Sequence, residues 1–284
     1  MTKSLDWFRT VKSLPSLPEQ INSVLVATGS TSSMDYNIVE IIQYDPSMAL
    51  SVLKVANSPV YGYSGKISSL QQAAGLLGPG TIKNIILRTP ILERYLTNRQ
   101  NDTPIDFSDL WVHCGVTASL SGGLGRLIGG LESDVCFTAG LIHDTGVIAL
   151  STYCPKELAK AFEISHNERI CLLDAEKKVF GFNSSDVSME LMNAWNFPES
   201  LSDLYRSDDK DNESSWVSKP IAVVVLAKTL LKEWGYPGCS HMQGELDKEQ
   251  LLQFLGITAD DLSKWEDELR KYIILAMGVL KEKH

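Results

Sequence analysis

His143 and Asp144 stand side by side in Ala139-Gly140-Leu141-Ile142-His143-Asp144-Thr145-Gly146, and another histidine, His113, lies upstream. Imidazole nitrogens and carboxylate oxygens together suit borderline and hard divalent ions, which activate a water against a phosphoester. Two histidines and an aspartate converging from two helices would supply most of such a centre. A hydrolase on this plan needs one more carboxylate from a later helix. From Val217 through Lys232 the chain has no Asp, Glu, His, Asn, Gln or Cys, and it offers Lys228 instead.

The elements that must position these groups are helices. Apolar residues recur with helical spacing almost everywhere, and no period-2 alternation indicates a strand. A first helix is expected after Pro18 and a second through Ile38, Val39, Ile41 and Ile42. Asp45-Pro46 then caps and opens a third, because an aspartate accepts from free N–H groups and proline suits a first turn. The turn-rich stretch 57–65 leads to a helix starting at Ser68-Ser69 and stopped at Gly78-Pro79-Gly80. Another begins at Thr81 and meets Pro90, which should kink or divide it. The polar stretch 98–106 reads as a junction. Beyond it, helices are expected over 107–128 with His113, from Ser133-Asp134 with His143, over 156–165, 170–180, 185–195, 220–234 and 246–255, and from about 260 to 281. Gly122-Gly123-Leu124-Gly125 has neither a preceding strand nor a following Gly-Lys-Ser/Thr, so it reads as close helix packing, not a phosphate loop.

Composition narrows the classes. The chain has 284 residues, enough for a sizeable core, with 44% apolar and 21% charged residues. Its net charge of −9 and lack of any Lys/Arg run argue against nucleic acid as a partner. Cys114, Cys136, Cys154, Cys171 and Cys239 are odd in number and never spaced as Cys-x-x-Cys, which favours reduced thiols in a cytoplasm. The first residues lack the apolar run of a signal peptide, and the longest uninterrupted apolar run, 221–227, falls short of the ~20 residues that span a bilayer. The expectation is a cytoplasmic protein without a membrane partner.

The segments Leu14-Pro15-Ser16-Leu17-Pro18-Glu19, Ile41-Ile42-Gln43-Tyr44-Asp45-Pro46, Ala56-Asn57-Ser58, Ile67-Ser68-Ser69-Leu70 and Leu76-Leu77-Gly78 resemble, in order and spacing, the HDOD family of bacterial signalling domains related to HD phosphohydrolases. The likeness continues through Leu110-Trp111-Val112-His113, the His143-Asp144 segment and Trp195-Asn196-Phe197-Pro198, covering roughly 14–234. It implies an all-α multi-helix bundle; with the junction above, the expected parts are an N-terminal helical part over 1–100 and an HD-like part over 101–236, and outside the likeness lies a helical extension over 237–284. It also implies a regulatory role, with signalling proteins as partners.

In metal-dependent HD relatives the resemblance maps the first ligand to His113, the central pair to His143 and Asp144, and the last carboxylate to position 228. An ammonium there repels the ion. At ~4 Å and an effective dielectric of ~20, a monovalent–divalent pair costs at most on the order of 8 kcal/mol. A quarter of that weakens binding more than tenfold. Lys228 is therefore expected to occupy the cation's place and pair with Asp144, leaving a vestigial site of His113, His143, Asp144 and Lys228. Positions implied for a second metal read Ser184 and Asp208-Asp209. The expected protein has no catalytic residue and no cofactor. One alternative is a phosphohydrolase holding Fe, Mn, Zn or Mg through His113, His143 and Asp144. Another is a nucleotide or small-anion sensor in which Lys228 and the histidines bind phosphate. His166, His241 and His284 lie in polar contexts and are expected to be solvated. Tyr61 and Tyr63 are read as closing the end of the bundle, and Trp195 as anchoring a helix end.

Overall fold

A computed structural model describes residues 3–16, 38–89, 106–205, 218–236 and 248–281. Its elements are helical throughout, with no strand among the described residues. The expected helix after Pro18, the Pro90 break, most of the 98–106 junction, Asp208-Asp209, His241 and His284 fall outside those residues.

A short 3-10 helix, Leu5–Thr10, precedes α1 (Ile38–Ile42) and α2 (Pro46–Ala56). Asp45 caps α2 as its sequence context requires: Oδ1 accepts from the Met48 N–H at 2.8 Å, and Pro46 opens the helix. Asn57 holds the loop that follows. Its amide donates to the carbonyls of Leu53 and Ile67 and accepts from the N–H groups of Lys66 and Ile67. Within that loop Tyr61 packs partly against the core, while Tyr63 is exposed. Ser69 caps α3 (Leu70–Ile86), which breaks at Gly78 (φ 70°, ψ 161°), a left-handed value that glycine tolerates, before Pro79 starts the second half.

Asp106 caps α4 (Phe107–Ile128), on which α5 (Ser133–Ile142) packs extensively. Gly122 and Gly125 leave room for Phe137 and Cys136 of α5, and Gly123 leaves room for the ring of Tyr272. The glycine run therefore serves close packing. Ser133 does not cap α5. Glu132 occupies that place without a side-chain bond, and the Ser133 hydroxyl donates to the Gly122 carbonyl at 2.8 Å.

Then follow α6 (Thr145–Tyr153), α7 (Pro155–Glu168), α8 (Leu172–Phe180), α9 (Ser184–Ala194) and α10 (Glu199–Ser202). Trp195, at the end of α9, is buried and donates to the Val11 carbonyl at 2.9 Å, which ties the N-terminal segment to this half. α11 (Lys219–Glu233) lies against α4 and α5, and α12 (Lys248–Leu255) against α11. α13 (Ala259–Lys281) returns to α4, burying Leu269, Ile273 and Ala276. The described part of the C-terminal extension, 248–281, thus contributes to the principal core, which runs from Phe8 to Ala276. Ser133–Tyr153 is long and apolar enough to cross a bilayer, but 83% of its apolar window is buried in the protein, as a core helix pair requires. Cys114, Cys136, Cys154 and Cys171 form no disulfide among the described residues.

Candidate metal centre

His113 projects from the middle of α4. His143 and Asp144 form the turn between α5 and α6, His143 just past the last turn of the former and Asp144 just before the first of the latter. Two glycines, each three residues from His143, hold the turn in place. Gly140 sits against Thr117 and Ala118, one helical turn beyond His113, and a Cβ there would lie 2.9 Å from the Ala118 Cα. Gly146 sits against the start of α9, where its N–H donates to the Ser188 hydroxyl at 2.7 Å. Only a side chain of no size lets both neighbours approach so closely. Tyr205 and Thr145 both donate to the Ile142 carbonyl, at 2.7 and 2.6 Å, which fixes the backbone just before His143.

The three side chains converge. Nε2 of His113 and Nε2 of His143 are 3.0 Å apart, and Asp144 Oδ2 lies 3.4 and 3.2 Å from them respectively. His143 Nδ1 donates to the Gly140 carbonyl at 2.7 Å. A carbonyl only accepts, so Nδ1 carries the proton, and Nε2 of a neutral His143 is an acceptor beside Nε2 of His113. Burial keeps His143 below the ordinary histidine value; the positive charges of Lys228 and His113 act in the same sense, against Asp144. For Asp144 burial acts upward, but the imidazoles of His143 and His113 outweigh it and hold the carboxyl well below the usual range. At neutral pH the pair is an aspartate anion beside a neutral imidazole.

These donors fit a divalent ion. Ligands at ~2.1 Å from a metal stand about 3.0 Å apart in an octahedron and about 3.4 Å apart in a tetrahedron, and the three separations span that interval. The Nδ1–H bond to a backbone carbonyl is the outer support that metal-bound histidines use. Among the described residues the donor set stops at three: His113, His143 and Asp144.

Lys228 lies on α11, half-buried, with its charge felt at His143 and at the buried thiol of Cys114. The expected Lys228–Asp144 ion pair is not formed: Asp144 pairs with the two histidines, and Lys228 enters no ion pair among the described residues. The physical reason is that Asp144 Oδ2 already faces both imidazoles, and a flexible four-carbon stem is free to end elsewhere. Ser184 uses its backbone N–H to bond Glu176 Oε2 at 2.7 Å. His166 is exposed, as expected.

Glu176 escaped the sequence reading. It is fully buried on α8, its Oε1 has no hydrogen-bond partner, and burial lifts its carboxyl to about 7, with Asp144 adding to the rise. Its setting, Asp174-Ala175-Glu176-Lys177-Lys178, looks like a solvated charged run. The signal was periodicity: Leu172, Ala175 and Glu176 share one helix face.

A family model for the HDOD domain matches residues 14–210. No curated protein matches the chain. Among solved structures the chain is similar to the MmoQ response regulator of Methylococcus capsulatus str. Bath, with a TM-score of 0.67 and 19% identity over 89% of this chain and 97% of that one. It is similar to an HDOD domain protein of unknown function from Geobacter sulfurreducens, with a TM-score of 0.56 and 21% identity over 99% and 97%. A virulence factor from Campylobacter jejuni subsp. jejuni gives a TM-score of 0.59 and 22% identity over 88% and 94%. At these identities the likeness is one of fold. The family match spans well over half of the chain, and this protein belongs to the HDOD domain family.

Proposed function

We propose that this chain is a regulatory HDOD protein that acts through contacts with signalling partners, and that its His113–His143–Asp144 cluster turns over no substrate. The observation that carries this reading is Lys228, which brings a positive charge close enough to act on His143 where a hydrolytic relative would place an anionic ligand. Three donors, one of them under the influence of a positive charge, hold a divalent ion far more weakly than four donors of net negative charge. The fold likeness to a chain described as a response regulator supports a role in signal transduction. Without hydrolysis, the cluster acts as a buried polar tie that joins α4 to the α5–α6 turn.

The second reading, a metal-dependent phosphohydrolase, is favoured by the donor spacing and by the Nδ1–H bond of His143. In it His113, His143 and Asp144 would hold a Fe, Mn, Zn or Mg ion, which would supply an acidified water. Metal analysis of chelator-free protein, with hydrolysis assays on bis(4-nitrophenyl) phosphate and a nucleotide panel, separates the two. The expected result is substoichiometric metal and no turnover above the His143→Ala variant. Stoichiometric Fe, Mn or Zn with turnover that His143→Ala abolishes would replace our reading with the second.

A further inference from the structure

We propose that a cavity walled by the N-terminal segment, α2 and the second half of α3 is an anion site that takes a phosphorylated small molecule of nucleotide size. The cavity has a volume of about 440 Å³, within the range of small-molecule sites. Lys12, Lys54 and Arg88 line it, and no carboxylate does among the described residues. None of its lining residues belongs to the His–His–Asp cluster.

The placement follows from helix geometry. Thr81, Ile85 and Arg88 succeed one another along one face of α3 and the turn after it, and Lys54 comes from the facing side of α2. No ion pair among the described residues involves Lys12, Lys54 or Arg88. In a chain of net charge −9, three cations around one cavity that enter no ion pair among the described residues are a local reversal of sign. Lys54 is held in place: its ammonium donates to the Lys12 carbonyl and stands 4.8 Å from the centre of the Trp195 ring. Burial lowers its pKa, and repulsion from the charge of Lys12 adds to the fall. A phosphate dianion would relieve that repulsion and accept charge-assisted hydrogen bonds from all three. Val55 and Ile85 supply an apolar wall on which the body of such a ligand can rest.

Calorimetric titration of the full chain with inorganic pyrophosphate, ATP and uncharged adenosine tests this. Pyrophosphate and ATP are expected to bind with Kd below about 1 mM and adenosine not to bind. Lys12 and Arg88 are exposed, so the double variant Lys12→Glu/Arg88→Glu should keep the wild-type melting temperature while losing at least tenfold in affinity. No binding of either anion, a smaller loss in the double variant, or adenosine binding as tightly as ATP would each overturn the proposal.

Discussion

Gly146 and Ser184 meet backbone to backbone: a Cβ built on Gly146 would stand 1.8 Å from the Ser184 carbonyl oxygen. Two helix starts, those of α6 and α9, therefore touch at the residue two places beyond Asp144. Since the obstacle is main chain, no side-chain rotation relieves it.

Gly146→Ala is thus expected to destabilise the protein by about 3 kcal/mol or more and to disturb the His143–Asp144 turn. Gly75, whose added Cβ would meet nothing within 4 Å, supplies the control. Gly75→Ala in α3 should be neutral or stabilise by roughly 0.5–1 kcal/mol. Urea unfolding of both variants checks the contrast, and equal stability of the two would contradict it.

Asp45 joins the N-terminal segment, the start of α2 and α4. Its Oδ2 accepts from the Trp111 indole at 3.1 Å and from the Ser16 hydroxyl, while Oδ1 caps α2. Asp45→Ala removes a cap and strands a buried indole N–H, an expected loss of about 3 kcal/mol. Asp45→Asn should not restore it, because keeping the cap oxygen turns an amide N–H₂ toward the Trp111 donor. A chemical denaturation series with wild type, Asp45→Ala and Asp45→Asn measures this; full rescue by asparagine would exclude that geometry.

Glu176 gives the stability a pH dependence of known sign. Its folded pKa, about 7, lies above the ordinary 4.5 because burial disfavours the anion. The neutral form is the one the fold prefers, so this contribution is complete below about 4.5 and is lost as pH rises through about 7, a span of about 3 kcal/mol at most. The stability of wild type minus that of Glu176→Gln, followed from pH 4 to 8, should fall with rising pH. A flat difference would mean that Glu176 titrates normally.

Lys228→Asp should tighten Mn²⁺ or Zn²⁺ binding at least tenfold, because it removes a repelling charge beside His143 and adds an anionic ligand. Calorimetry on metal-free protein reads the change. Unaltered affinity would place residue 228 outside the reach of the ion.

Much of the local structure was legible in the residues themselves. The Asp45-Pro46 start of α2, the break at Gly78-Pro79, the extent of α4 and the packing role of Gly122, Gly123 and Gly125 all follow from caps, dihedral limits and periodicity within a turn or two. The convergence of His113, His143 and Asp144 was legible through a family resemblance, because the order of short motifs carries the fold with it. Other features depend on residues far apart in the chain and lay beyond any local pattern. Such are the burial of Glu176, the clamping of the turn by Gly140 and Gly146, the seating of Tyr272 on Gly123, the lack of an ion pair between Lys228 and Asp144 and the meeting of Lys12, Lys54 and Arg88. Backbone preferences act over a few residues and are written in the sequence. Burial, charge proximity and the choice of partner are decided only when distant helices pack, since each is a property of the space that packing encloses.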